Sequence, residues 1–211
     1  MRRTLFALLA TAALSTLGAQ GAPAASPAAT PAGWSMRFDD ATAKPADVTF
    51  VTMGSGMHVT SGPAAVYWNK ANTAGAGPWA FGATFSQRKA PEHPEAYGLM
   101  WAAKNLDAGE PSYLYYIVRG DGKYAVKHRA NSKDVHNIVD WTDSDALVKA
   151  NDKGAATNAL EVRVGADSVR LFANGKPVVA FSAAIMADNS GTYGFRVNHM
   201  LDVHVAGFGK K

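Results

Sequence analysis

YLYYIVRGDGKYAVKH, Tyr113 to His128, is the stretch whose reading decides the fold. It reads as two alternating β-strands around a tight turn. Asp121-Gly122 is a dipeptide that tolerates positive φ at both central positions of a type I′ turn, whose twist matches that of the flanking strands, so the two strands are expected to be antiparallel neighbours. The stretch also contains Arg119-Gly120-Asp121, a tripeptide known elsewhere as a cell-adhesion signal. Turn chemistry accounts for Gly120 and Asp121 without a receptor, and an Arg at the end of an exposed strand is common, so the hairpin reading is preferred.

The same period of two recurs outward from this hairpin, with turn residues every eight to twelve positions. That is the pattern of an all-β sandwich or barrel. The spacing predicts fourteen strands, from Trp34–Phe38 to Leu201–Ala206, among them Ala65–Asn69, Tyr97–Ala102 and Val135–Asp140. Asn174-Gly175 predicts a second type I′ hairpin. Only Asp143 to Ala150 reads as a helix, a short one with Thr142, Asp143 or Ser144 as its cap. Phe195, Val197, Val203 and Val205 share one parity and Arg196, Asn198, Asp202 and His204 the other, so one face is core and the other meets solvent or a ligand. Leu160, Val162, Val164, Val169 and Leu171 are expected in the core for the same reason.

The first residues read differently. Arg2 and Arg3, the apolar run Leu5 to Leu17 and Ala19-Gln20-Gly21 have the order of a signal peptide over residues 1–21. The apolar run falls short of the roughly 20 residues that span a bilayer. Two basic residues suit the general secretory route, and Arg-Arg before Thr4, Leu5 and Phe6 partly matches a twin-arginine signal. Residues 22–33, beginning APAASPAATPA, alternate small residues with Pro and predict a disordered linker ahead of a single domain over 34–211. The expected address is secreted or periplasmic. Removing Arg2 and Arg3 from the net charge of +4 leaves +2 and no basic stripe, which argues against nucleic acid as a partner. With no Cys in the chain, neither a disulfide nor a thiolate metal site is available.

Catalytic motifs are sparse. A retaining glycosidase needs two carboxyl groups about 5 to 5.5 Å apart, which alternate strand positions in Glu-x-Asp-x-x-Glu would supply; no such segment occurs among the four Glu. Glu92, His93 and Glu95, in APEHPEAY, are the candidate acid/base group, although Pro91 and Pro94 fit a rigid surface connection equally well. DVHNIVDWTDSDALVKA concentrates oxygen ligands at Asp134, His136, Asp140, Asp143 and Asp145, without the order of an EF-hand loop. No other cofactor is implied, and the calcium alternative is a structural ion held by Asp39 or Asp40 with Asp202, if the first and last strands lie side by side. Trp and Tyr are plentiful, and a flat, half-exposed aromatic beside Asn, Asp, Arg or His suits the C–H faces and hydroxyls of a sugar.

AYGLMWAAKNLD, SYLYYIVRGDGKYAVKHR, TNALEVRVGADSVRLFANGKPVVAF and GTYGFRVNHMLDVHVAGF together resemble the concanavalin A-like lectin/glucanase jelly rolls. More narrowly the chain is similar to bacterial exported domains grouped with laminin G-like modules and the 3-keto-disaccharide hydrolase family. The resemblance covers Trp34 to Phe208 and implies a two-sheet antiparallel β-sandwich with a concave face for glycans. The expectation is therefore an all-β jelly roll with one short helix, binding a glycan or other extracellular ligand without covalent chemistry. Tyr97, Trp101, Tyr115, Arg196 and Asn198 are its expected face residues. A glycoside-processing hydrolase and a structural or protein-interaction module are the alternatives.

Overall fold

Two seven-stranded antiparallel sheets pack face to face in a computed structural model that describes residues 30–211. The expected signal peptide, 1–21, and most of the expected linker, 22–33, lie outside the described residues. In chain order the strands are β1 Trp34–Phe38, β2 Val48–Met53, β3 Gly56–Ser61, β4 Ala65–Ala74, β5 Trp79–Gln87, β6 Ala96–Lys104 and β7 Ser112–Arg119. They continue as β8 Lys123–Arg129, β9 Val135–Asp143, β10 Ala156–Val164, β11 Ser168–Ala173, β12 Lys176–Ser182, β13 Gly191–Val197 and β14 Asp202–Lys210. One sheet has the order β1-β4-β13-β6-β7-β8-β9 and the other β12-β11-β10-β5-β14-β3-β2. Every expected strand is present; the alternation led to a sandwich or a barrel, and the two-sheet sandwich is the one that the resemblance implied.

The core fills the space between the sheets. Leu160, Val162, Val164, Val169, Leu171, Phe195, Val197, Val203 and Val205 all lie in it, each at most 3% exposed. Aromatic rings bridge the layers: Phe85 of one sheet stacks on Tyr97 of the other at 5.4 Å, and Trp34 meets Phe208 edge-on at 5.3 Å. Ahead of β1, the carbonyl of the buried Pro31 accepts from the Trp34 amide at 3.1 Å.

Local departures from the sequence reading have identifiable causes. Residues 143–150 are not helical: β9 runs through Asp143, and the amides that a helix would bond internally go elsewhere, Val148 N–H to Asn158 Oδ1 and Ala150 N–H to the Gly120 carbonyl. The only helical pieces among the described residues are the 3₁₀ turns Pro45–Asp47 and Ala183–Ile185. β4 outruns its expected end because its ladder with β13 resumes after a bulge, Thr73 facing Thr192 and Ala74 facing Gly191, although Lys70 to Thr73 carry no core residue.

Asn174 (φ 52°) and Gly175 (φ 78°) form the expected type I′ turn, but the β7–β8 hairpin is closed differently. There Gly122 N–H bonds the Arg119 carbonyl, and of the loop residues only Gly122 has positive φ, 85°. This is a three-residue loop, a tight turn centred on Gly120-Asp121 followed by a left-handed glycine. Arg119 is paired to Asp121 and lies over the Trp141 ring at 4.3 Å, so the tripeptide's charges are spent on each other and on the strand beside them. Gly122→Ala should cost about 1–2 kcal/mol from the left-handed backbone, whereas Asp121→Ala should cost less than half of that in urea unfolding.

Candidate functional site

β6 and β7 are buried on both faces, and their second face carries a separate cluster that includes Val66, Trp68, Met100, Tyr113, Tyr115 and Ile117. Arg196 stands on the same face in β13. Its cross-strand neighbour on β6 is Gly98, where a Cβ would meet the Tyr116 carbonyl at 2.0 Å. No side chain rises there, and the Arg196 guanidinium lies over the Tyr115 ring at 5.0 Å.

Five residues, from β7, β8, β13 and the segments directly after β1 and β13, converge at this place. Asp39, directly after β1, accepts from Arg196 Nη1 at 3.1 Å and also from Nη2, and its Oδ2 lies 3.0 Å from Arg129 Nη2. The Tyr113 hydroxyl accepts from Arg129 Nε at 2.9 Å and lies 3.5 Å from Arg196 Nη1. Asn198 Oδ1 accepts from Arg196 Nε at 2.8 Å. β1 and β8 stand five places apart in the sheet order, about 24 Å on a flat sheet at about 4.8 Å per strand. Side chains of Asp and Arg meet over that span only if the sheet curls toward them, so this face is concave.

Beside the cluster opens a cleft of about 500 Å³, walled by Met36 to Asp40, Pro111, Tyr113, Arg129, Ser132 and Lys133. Its rim is tied down by polar contacts. Arg37 donates to the carbonyls of Leu106, Ala108 and Gly109, holding the β6–β7 loop, and Glu110 of that loop accepts from the Ser132 amide at 3.0 Å. The two guanidinium side chains are nearly enclosed, Arg196 6% and Arg129 11% exposed, while that of Asp39 is 26% exposed. Burial alone would push the Asp39 carboxyl up, but Arg196 and then Arg129 overcome it and hold it below the usual carboxylate range. Burial pushes the Tyr113 hydroxyl up against the pull of Arg196, so it stays a neutral donor and acceptor. The arrangement can offer fixed guanidinium and hydroxyl donors and a carboxylate acceptor to a polar ligand.

The expected face residues divide. Tyr115, Arg196 and Asn198 belong to the concave face. Tyr97 and Trp101 do not: both are 0% exposed in the core between the sheets. The cause is β6 itself, whose two faces are equally apolar, so parity alone gave no direction. Glu92, His93 and Glu95 line a different cleft of about 360 Å³ at the opposite end of β7, with Gln87, Asp121 and Asp152. There Glu95 Oε2 lies 3.8 Å from His199 Nδ1. The calcium trio is not assembled. β1 is an edge strand of one sheet while β14 is interior to the other, so Asp39 and Asp202 are separated; Asp40 caps the Thr42 turn, and Asp202 pairs with His58 at 3.3 Å. Among the described residues no three His, Asp or Glu side chains are placed to hold a metal ion.

Tyr113 and Arg129 went unselected in the sequence, although a signal existed. The hairpin register pairs Tyr113 with Arg129 and Tyr115 with Lys127, which places an aromatic beside a cation twice on one face.

No protein-family model and no curated protein matches the chain. Solved structures do. A carbohydrate binding module, CBM66 from Bacillus subtilis, is 12% identical with a TM-score of 0.62 over 85% of this chain and 95% of that one. A Bacillus subtilis protein of unknown function with a galectin-like fold is 12% identical with a TM-score of 0.57, over 84% and 88%. The family 7 alginate lyase A1-II′, in complex with product, is 11% identical with a TM-score of 0.56, over 85% and 94%. At such identities the likeness shows the fold alone, a two-sheet jelly-roll β-sandwich.

Proposed function

We propose that this chain is an exported, secreted or periplasmic module that binds carbohydrate in the concave-face cleft without making or breaking bonds. The observation that carries the reading is the cluster of Asp39, Tyr113, Arg129 and Arg196 set beside an open cleft of about 500 Å³. Fixed donors and acceptors are what recognition of sugar hydroxyls requires. Two of the structural neighbours are named for carbohydrate, one as a binding module and one as a lyase, which supports the reading without assigning a ligand. The order of residues 1–21 supports export.

The test is a glycan array probed with the chain, with calcium and again with EDTA, together with a turnover assay on keto-glycosides and β-glucans. Binding without turnover is the expected result. Arg129→Lys keeps the charge but loses the planar fork; with one charge-assisted hydrogen bond of at least about 1.5 kcal/mol removed, affinity should fall about tenfold or more. Asp39 retains Arg196, so the melting temperature should move by only a few degrees. Turnover that is lost in Glu92→Gln or Glu95→Gln would replace this reading with hydrolysis in the second cleft. Silence on glycans with a positive protein pull-down would replace it with an interaction module.

A further inference from the structure

The charges at the concave-face site do not balance. Asp39 is the only carboxylate within ion-pair distance of Arg129 or Arg196 among the described residues, and the two enclosed guanidiniums share it. One positive charge in excess therefore sits at the wall of the cleft. A buried charge without an opposite partner is costly, and proteins tolerate it where a ligand supplies that partner. The surroundings do not offset it. Arg37 is held only by carbonyl oxygens and Lys133 lines the same cleft with no ion pair among the described residues; the exposed Glu110 at the rim, which faces both, and Asp40 balance those two cations, so the excess of one stays at the enclosed pair. The other acid of the wall, Asp40, has its Oδ1 engaged by both donors of Thr42.

We infer that the cleft takes an anionic glycan, with the acidic group of a uronic acid residue seated against Arg129 and Lys133. Arg129 gives its Nε to Tyr113 and its Nη1 to the Ser132 carbonyl at 3.3 Å, which fixes the plane of the guanidinium. A planar, fixed guanidinium matches a carboxylate fork to fork, and a sulfate ester offers the same oxygen geometry. The uronate is preferred because its carboxylate lies in one plane with the ring carbon that bears it, the same planar fork that the fixed Arg129 guanidinium offers.

This inference rests on the carbohydrate-binding reading, and one experiment separates them. The full chain is titrated calorimetrically with an oligouronate, with the same oligouronate after reduction of its carboxyl groups, and with a sulfated oligosaccharide of equal length. The oligouronate should bind about tenfold or more tightly than its reduced counterpart, and its affinity should fall as salt is raised. Preferential binding of the sulfated sugar alone would support the anionic chemistry and reassign its source to sulfate. Lys133→Glu, an exposed change that leaves the core and the Asp39 pairs untouched, should weaken the anionic ligand about fivefold or more and the reduced one by a clearly smaller factor. Equal affinity for the acidic and reduced sugars overturns the inference and leaves carbohydrate binding standing; failure of all three to bind overturns both.

Discussion

Asp39→Asn is expected to destabilise the protein by about 3 kcal/mol, the lower end of the range for breaking a buried ion pair, because this carboxylate keeps part of its surface in water. The cost arises less from lost attraction than from what remains. Arg129 and Arg196 would face each other with no carboxylate between them, and neither can shed its proton. Urea unfolding should show a lower midpoint with an unchanged slope, and the melting temperature should fall by roughly 10 °C for a domain of this size. A double variant that removes the lone cation as well, Asp39→Ala with Arg196→Met, should recover part of the loss. If the single variant is as stable as the parent, the ion pairs are solvated and the buried-charge argument fails. The acid side follows the same logic. The folded-state pKa of Asp39 is depressed, so its contribution is present above the unfolded value of about 3.9 and is lost as pH falls through the folded one. The parent should therefore lose stability below about pH 4, and Asp39→Asn should lack that part of the loss.

Trp101→Ala should cost roughly 3–5 kcal/mol, the penalty for emptying a large aromatic site in a packed core. The side chain is 0% exposed between the sheets, beside Leu99 and Leu114 in the same cluster, and no solvent route exists by which a sugar could replace it. The affinity of the molecules that remain folded should be unchanged. The opposite pattern, normal unfolding with lost binding, would return Trp101 to the ligand face and invert the orientation of β6.

These two variants also mark where the sequence was legible. Strand positions could be read from alternation: β10 alternates buried and more exposed residues along its whole length, and β13 sets a polar Arg196 between apolar Phe195 and Val197 although all three are buried. The same signal disappears in β6, where AYGLMWAA is buried throughout, so Tyr97 and Trp101 carried no sign of which way they point. Gly98, Met100 and Tyr115, on the other parity, line the concave side. The helix expected at 143–150 failed for a different reason. Its polar residues resemble a helix start, but the backbone donors that would have closed its turns are claimed by Asn158 and Gly120, residues distant in the chain. Asp39 was singled out as a metal ligand because its acid is visible in the sequence and its two Arg partners, 90 and 157 positions away, are not.

That separation bears on how the protein matures. The pair between Asp39 and Arg196 spans 157 positions, nearly the whole domain, and Arg196 belongs to the penultimate strand. Contacts of such long range close late, because the loop between them must lose its freedom before the contact repays it. On the proposed reading, ligand capture is then a property of the finished chain only: a polypeptide that stops before β13 lacks Arg196 and the strand that joins β4 to β6, and so has no assembled cleft. Retention on an immobilised glycan would sort completed molecules from every truncated or half-assembled one, without any probe of folding being added.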